Sequence, residues 1–272
     1  MDEPEYAGDT PGSPRPEPDE GLAGVSFLIL LYRTRRPLVN FSLIAASTVV
    51  FLYEVVLGGL QGLGELGSTD RLNVFLLTYG LVPFDLTRAG DLRPVFDSSG
   101  ALRDINPPFS VWTSVFTSMF IHGSLLHLVG NMLFLWGFGG RLEEKLGHVK
   151  YLLFYLAAGV AAVWTQVAVD MDSRAPLIGA SGAIAGVVGA YLLTFRYPNT
   201  IWLVIVFFIL PMIVGPIGAG VVSSDAQVAY MAHLGGLVAG GLMISGYKLL
   251  IGESLRPPAG PAAGSRPTRF WR

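Results

Sequence analysis

The sequence predicts an all-α polytopic membrane protein with six transmembrane helices and a long outer loop between the first two. Three observations carry that expectation. The chain of 272 residues is 51% hydrophobic and only 14% charged, with a mean hydropathy of +0.53. A soluble domain carries roughly 25% charged residues, so this chain has too few to cover a water-facing surface. Six apolar stretches, at 37–57, 114–139, 150–169, 177–195, 200–221 and 226–248, have about the 20 residues that a bilayer crossing needs. The basic residues then sort by side. With both termini cytoplasmic, thirteen of the eighteen Lys and Arg fall inside, among them Arg33, Arg35, Arg36, Arg141, Lys145, Lys150 and Lys248. That is the bias expected of a membrane protein.

Taken in order, residues 1–21 form an acidic, Pro-rich tail that cannot bury a core and is expected to be disordered. Residues 22–36 hold an apolar run too short to cross, read as an interfacial segment. The membrane domain occupies 37–251, and a basic Pro/Ala/Gly-rich tail closes the chain at 252–272. Arg71, Arg88, Arg93 and Arg103 lie in the outer loop 58–113, whose apolar run 74–84 is expected to rest on the membrane surface.

Composition also excludes. A net charge of -2 gives no footprint for nucleic acid. The absence of cysteine removes disulfides, thiol nucleophiles, iron–sulfur clusters and thiolate zinc sites. Neither cofactor nor metal is called for, since no His-Glu-x-x-His is present. The partner expected from composition is the lipid bilayer.

Within the spans the chemistry rests on a few neutral polar groups, which still need partners in lipid. His127 and Asn131 lie in the second span, Ser181 in the fourth and His233 in the sixth. Counting 1.5 Å per residue puts Ser181 about 6 Å below Leu177, His233 about 10 Å below Ala226 and His127 about 20 Å below Ser114. With allowance for an over-long second span, all three fall in the outer half of the membrane. Gly182, Gly186 and Ala190 make one smooth helix face, and Ala232, Gly236 and Gly240 make another beside His233. Such faces let two backbones approach closely and bring a hydroxyl to an imidazole, the pairing of a nucleophile with its general base. His127 and Asn131, spaced i,i+4, share a face. Two neutral donors aimed at one point, with the Ser181 N–H, are what an oxyanion hole requires. The competing reading of each feature alone is plain helix packing. Their joint occurrence at compatible depth favours a site.

His122-x4-His127-x3-Asn131, Gly179-Ala-Ser181-Gly182 and Ala232-His233-x2-Gly236 resemble the three signatures of rhomboid intramembrane serine proteases, in the family's order. Gly137-x5-Glu143-x3-Gly147 resembles a further family element. The resemblance implies a six-helix rhomboid-like bundle, Ser181 as nucleophile, His233 as general base, and His127 with Asn131 at the oxyanion hole. It gives His122, Gly179 and Gly182 supporting places. The implied reaction is hydrolysis of a peptide bond in or near a substrate's transmembrane helix, with small residues favoured at the cleaved position. The topology read from the charge bias points to a plasma membrane, most simply a bacterial one, with the active site opening to the outer face. Two departures stand out: Trp112 is followed by Thr113 where members often have arginine, and Ala185 replaces an aromatic found in some.

Span five carries Pro211, Gly215, Pro216, Gly218 and Gly220 in its outer half, a candidate gate together with 221–226. Two rival readings are a catalytically silent rhomboid-like protein that binds membrane clients, and a transporter. The second lacks the intramembrane carboxylates such proteins use, since Glu54 alone lies within a span.

Overall fold

The computed structural model describes residues 36–61, 64–67, 69–88, 95–96, 102–103, 110–195, 205 and 230–255. The chain divides into two units, 1–36 and 37–272, and every described helix and strand belongs to the second. The N-terminal tail, the C-terminal tail beyond Leu255, the interfacial segment before Arg36, the candidate gate and the 221–226 cap lie outside the described residues.

Helix α1 (Leu38–Gly58) follows Pro37 and ends at Gly59. A hairpin of β1 (Leu60–Gln61) and β2 (Glu65–Leu66) comes next, then α2 (Asp70–Tyr79) and α3 (Pro83–Thr87). A second small hairpin pairs β3 (Val95–Phe96) with β4 (Leu102–Arg103). A 3-10 turn at Val111–Thr113, α4 (Ser114–Thr117) and a further 3-10 turn at Ser118–Phe120 lead to α5 (Leu125–Phe134). A widened π turn at Leu135–Gly139 carries α5 into α6 (Gly140–Leu146). The remaining helices are α7 (His148–Val169), α8 (Ser181–Thr194) and α9 (Tyr230–Leu250). Among the described helices, α1 and α7 are long and apolar enough to cross a membrane, and α8 is apolar but shorter.

Three expectations change. The second span is not one helix from Ser114. The chain breaks at 121–124, and Ser124 caps a new helix by accepting the His127 N–H at 3.1 Å. His127 is therefore the third residue of α5, which replaces its placement about 20 Å below Ser114. His122 sits in the break. The fourth span begins not at Leu177 but at Ser181, because Leu177 is held in an extended bridge with Leu81. The serine is the first residue of its helix rather than one turn inside it. Part of the outer loop is also buried in protein: Leu81, Val82, Pro83 and Phe84 are covered, and Leu81 and Leu86 pack with Val115, Val163 and Val167.

Helix α8 is enclosed. Every residue from Gly182 to Tyr191 is buried, as expected of a helix that is apolar all round. The small-residue faces meet as their spacing suggests. A Cβ on Gly236 would lie 2.0 Å from the Gly182 carbonyl, and one on Gly240 would lie 2.0 Å from that of Gly186. On another side of α8, a Cβ on Gly182 would meet Ala162, and one on Gly186 would meet Ala158, so α7 and α9 both close directly on the α8 backbone.

The opposite end of the bundle holds a buried polar knot. Glu143 accepts the N–H groups of Val39 and Asn40 at 2.9 and 2.7 Å, satisfying two of the donors at the α1 start, and also contacts the His148 ring. Asn40 donates to the Leu135 carbonyl and accepts from the Tyr151 hydroxyl. Lys145 pairs with Glu253, and the buried Lys248 donates to the Leu193 and Leu255 carbonyls.

Candidate active site

The site forms where the start of α8 faces α9 and α5. Residues 177–180 bring the serine there, and their backbone is pinned on two sides. Leu177 exchanges hydrogen bonds with Leu81, and Gly179 N–H donates to the Ser118 carbonyl at 2.9 Å. Gly179 has φ +116, a region that L side chains rarely adopt. A Cβ there would also lie 2.8 Å from His127 Cε1 and 2.9 Å from its Nε2. Only glycine lets the chain turn at this point while the His127 ring stays against it.

Ser181 Oγ lies 2.7 Å from His233 Nε2, across 52 residues of chain. Both side chains are half-buried. The contact follows from the meeting of small residues below it: Gly182 is one residue beyond Ser181, Gly236 is one turn beyond His233, and these two glycines touch. The α9 start is held by Gln166 of α7, whose Oε1 accepts the Ala232 N–H at 3.2 Å.

His127 and Ser181 flank Gly179, since both reach within 4 Å of the point its Cβ would occupy. Asn131 lies one turn below His127 on the same face of α5. It is buried, and its Nδ2 has no hydrogen-bond partner among the described residues. An unpaired buried donor of this kind costs about 1–3 kcal/mol, so it calls for an explanation beyond packing. The first N–H groups of α8, Ser181's among them, lie at a helix start, where backbone donors carry partial positive charge. His122, fully buried, packs its ring edge-on against His127 at 5.1 Å between centroids. Its Nδ1 faces the Phe120 carbonyl at 3.2 Å, and its Nε2 is unpaired among the described residues.

A cavity of about 40 Å³ opens beside the serine, lined in part by Met119, Val163, Ile178, Gly179, Ser181 and Ala232. Met119 reaches this place because α7 has glycine at 159, where a Cβ would lie 2.2 Å from its methyl carbon. Of the two departures from the family pattern, Ala185 is fully buried within α8, and Trp112 is half-exposed against Trp164 at 5.9 Å.

The structure therefore brings together Ser181, His233, His127, Gly179 and Gly182, places Asn131 on the His127 face, and stacks His122 behind. Three further residues take part in this arrangement from outside the motifs. Ser124 carries a readable signal, a helix-capping serine three residues before His127. Glu54 carries one as well, as a lone carboxyl in an apolar span. Gln166 carries none.

Residues 109–249 match the Rhomboid domain family, just over half of the chain, and the protein belongs to that family. It is a membrane protein. Among its relatives, Rhomboid protease GluP of Bacillus subtilis (strain 168) is 34% identical over 130 residues, covering 47% of this chain and 25% of GluP. Rhomboid protein 1, mitochondrial, of Saccharomyces cerevisiae is 31% identical over 141 residues, 47% of this chain and 39% of that protein. Putative rhomboid protease YdcA of B. subtilis is 31% identical over 188 residues, 64% of this chain and 92% of YdcA. The chain thus spans well under half the length of GluP and the yeast protein, and nearly all of YdcA.

Proposed function

We propose that the protein is an intramembrane serine endopeptidase that cleaves transmembrane segments of other membrane proteins. The observation that carries the reading is the 2.7 Å contact between Ser181 Oγ and His233 Nε2, at a helix start whose preceding Gly179 lies against the His127 ring. In this mechanism His233 takes the hydroxyl proton as Ser181 Oγ attacks the scissile carbonyl carbon. The oxygen of the tetrahedral intermediate collects negative charge opposite the Ser181 N–H, the His127 ring and the Asn131 amide. Collapse breaks the C–N bond, and His233 returns its proton to the leaving amine. Water then attacks the acyl-enzyme with His233 again accepting a proton; the acyl C–Oγ bond breaks, the acid product leaves, and His233 returns the proton to Ser181 Oγ.

The cavity beside Ser181 is small and largely apolar, which suits a small side chain at the cleaved position. In the proposed topology six helices cross the membrane, span five among them. In this scheme both termini are cytoplasmic, which the Lys and Arg bias supports, and the site opens to the outer face of a bacterial plasma membrane. Span five and its cap form the lateral gate of this scheme.

The test is cleavage of a labelled model transmembrane substrate by purified protein in proteoliposomes, wild type beside Ser181→Ala and His233→Ala. Loss of cleavage in both, with unfolding temperatures unchanged, is the expected result. Cleavage surviving in Ser181→Ala overturns the assignment. An inactive wild type across a panel of helix-unstable substrates points instead to client binding without catalysis.

A further inference from the structure

We infer that Glu54 is a positioning residue for the reaction, holding the turn that aims His127 and Asn131. The inference rests on the reading of those two side chains as oxyanion donors. The turn 121–124 separates a 3-10 turn from α5, so its backbone groups have no helical ladder of their own and must find partners elsewhere. They find them in two places. The His122 N–H donates to the Glu54 carboxyl, with both oxygens at 3.2 Å, from the outer end of α1. The β1–β2 hairpin adds two contacts at the turn and the helix start after it: Gly64 O accepts the Leu125 N–H at 2.7 Å, and Leu66 N–H reaches the Gly123 carbonyl at 3.5 Å, while the Ile121 N–H stays with the Ser118 carbonyl at 3.3 Å.

Glu54 is fully buried, and among the described residues its carboxyl has no other hydrogen-bond partner. A carboxyl in such surroundings is expensive, and a helix start does not require one. What it holds is one step from the chemistry. The His122 ring packs edge-on against the His127 ring, and His127 and Asn131 are fixed to the turn through the first rungs of α5. Releasing the turn shifts the donor pair while leaving Ser181 and His233, carried on α8 and α9, where they are.

The experiment measures kcat and KM for one labelled transmembrane substrate, with the full chain in proteoliposomes. Glu54→Ala is expected to lower kcat at least tenfold with KM within about twofold, the signature of a lost transition-state interaction. Glu54→Gln keeps an oxygen for the His122 N–H and recovers most of the rate. In a His127→Ala/Asn131→Ala background the Glu54→Ala effect should shrink to under about threefold, because both donors that the turn aims are already gone. Gly64→Ala presses on the same turn from the other side, with φ +86 and a Cβ 2.9 Å from that of Leu125. It should give the same pattern, and it carries the test if Glu54→Ala does not fold. Two results overturn the inference: a Glu54→Ala kcat equal to wild type, or an effect that persists in full beside His127→Ala/Asn131→Ala. If Asn131→Ala and His127→Ala themselves leave kcat intact, the oxyanion reading has failed instead.

Discussion

Replacing Gly236 with alanine should part the two helices that carry Ser181 and His233. The added methyl would sit 2.0 Å from the Gly182 carbonyl oxygen, where ordinary contact begins at 3.4 Å. Both atoms belong to helix backbones, so no side-chain rotation relieves the clash, and α9 must back away by about 1.4 Å along that line. His233 lies one turn from Gly236 and moves with it. The 2.7 Å contact to Ser181 then opens to as much as about 4 Å, beyond hydrogen-bond reach. A misplacement of that size costs on the order of 10²-fold in kcat, and overpacking adds about 1–3 kcal/mol of lost stability. Gly246 supplies the control on the same helix, because a Cβ there meets nothing within 4 Å. The assay is steady-state cleavage in proteoliposomes with thermal unfolding in parallel. Gly236→Ala matching Gly246→Ala in both would refute the close approach of α8 and α9.

Asn131→Ala should lower kcat by about 10²–10³ in the same assay while leaving the unfolding temperature unchanged or raised, since it deletes a buried donor that pairs with nothing described. Gly179→Ala should abolish cleavage and lower the melting temperature together, because φ +116 and the His127 ring both exclude a side chain. Glu143→Ala acts at the far end of the bundle. It strips two backbone N–H groups at the α1 start of their acceptor, so calorimetry should show a loss of roughly 2–5 kcal/mol, with kcat of the folded fraction near wild type.

The parts of the site legible in sequence are those that follow from spacing on regular helices. Gly182, Gly186, Gly236 and Gly240 recur every fourth residue, and the same period that marks them as one face presses α9 onto α8. Asn131 falls one turn after His127 for the same reason. Hydropathy misplaces the helix starts. An apolar stretch reads alike whether it is coiled or extended, so the pattern alone joins 114–139 into one helix and begins another at Leu177. Backbone hydrogen bonding decides otherwise: Ser124 offers a cap at its own position, and Leu177 finds Leu81, 96 residues earlier, as an extended partner. Those shifts place Ser181 at the first residue of α8 and His127 in the first turn of α5. The clasp of Glu54 on His122 joins residues 68 apart and is invisible to any local pattern.

Activation of Ser181 by His233 is the central claim. The measurement that reaches it most directly is intact-protein mass spectrometry with adduct mapping, after reaction with a fluorophosphonate in proteoliposomes. A single adduct on Ser181 that fails to form in His233→Ala is the predicted result. An adduct elsewhere, or labelling of Ser181 at the same rate without His233, would contradict it.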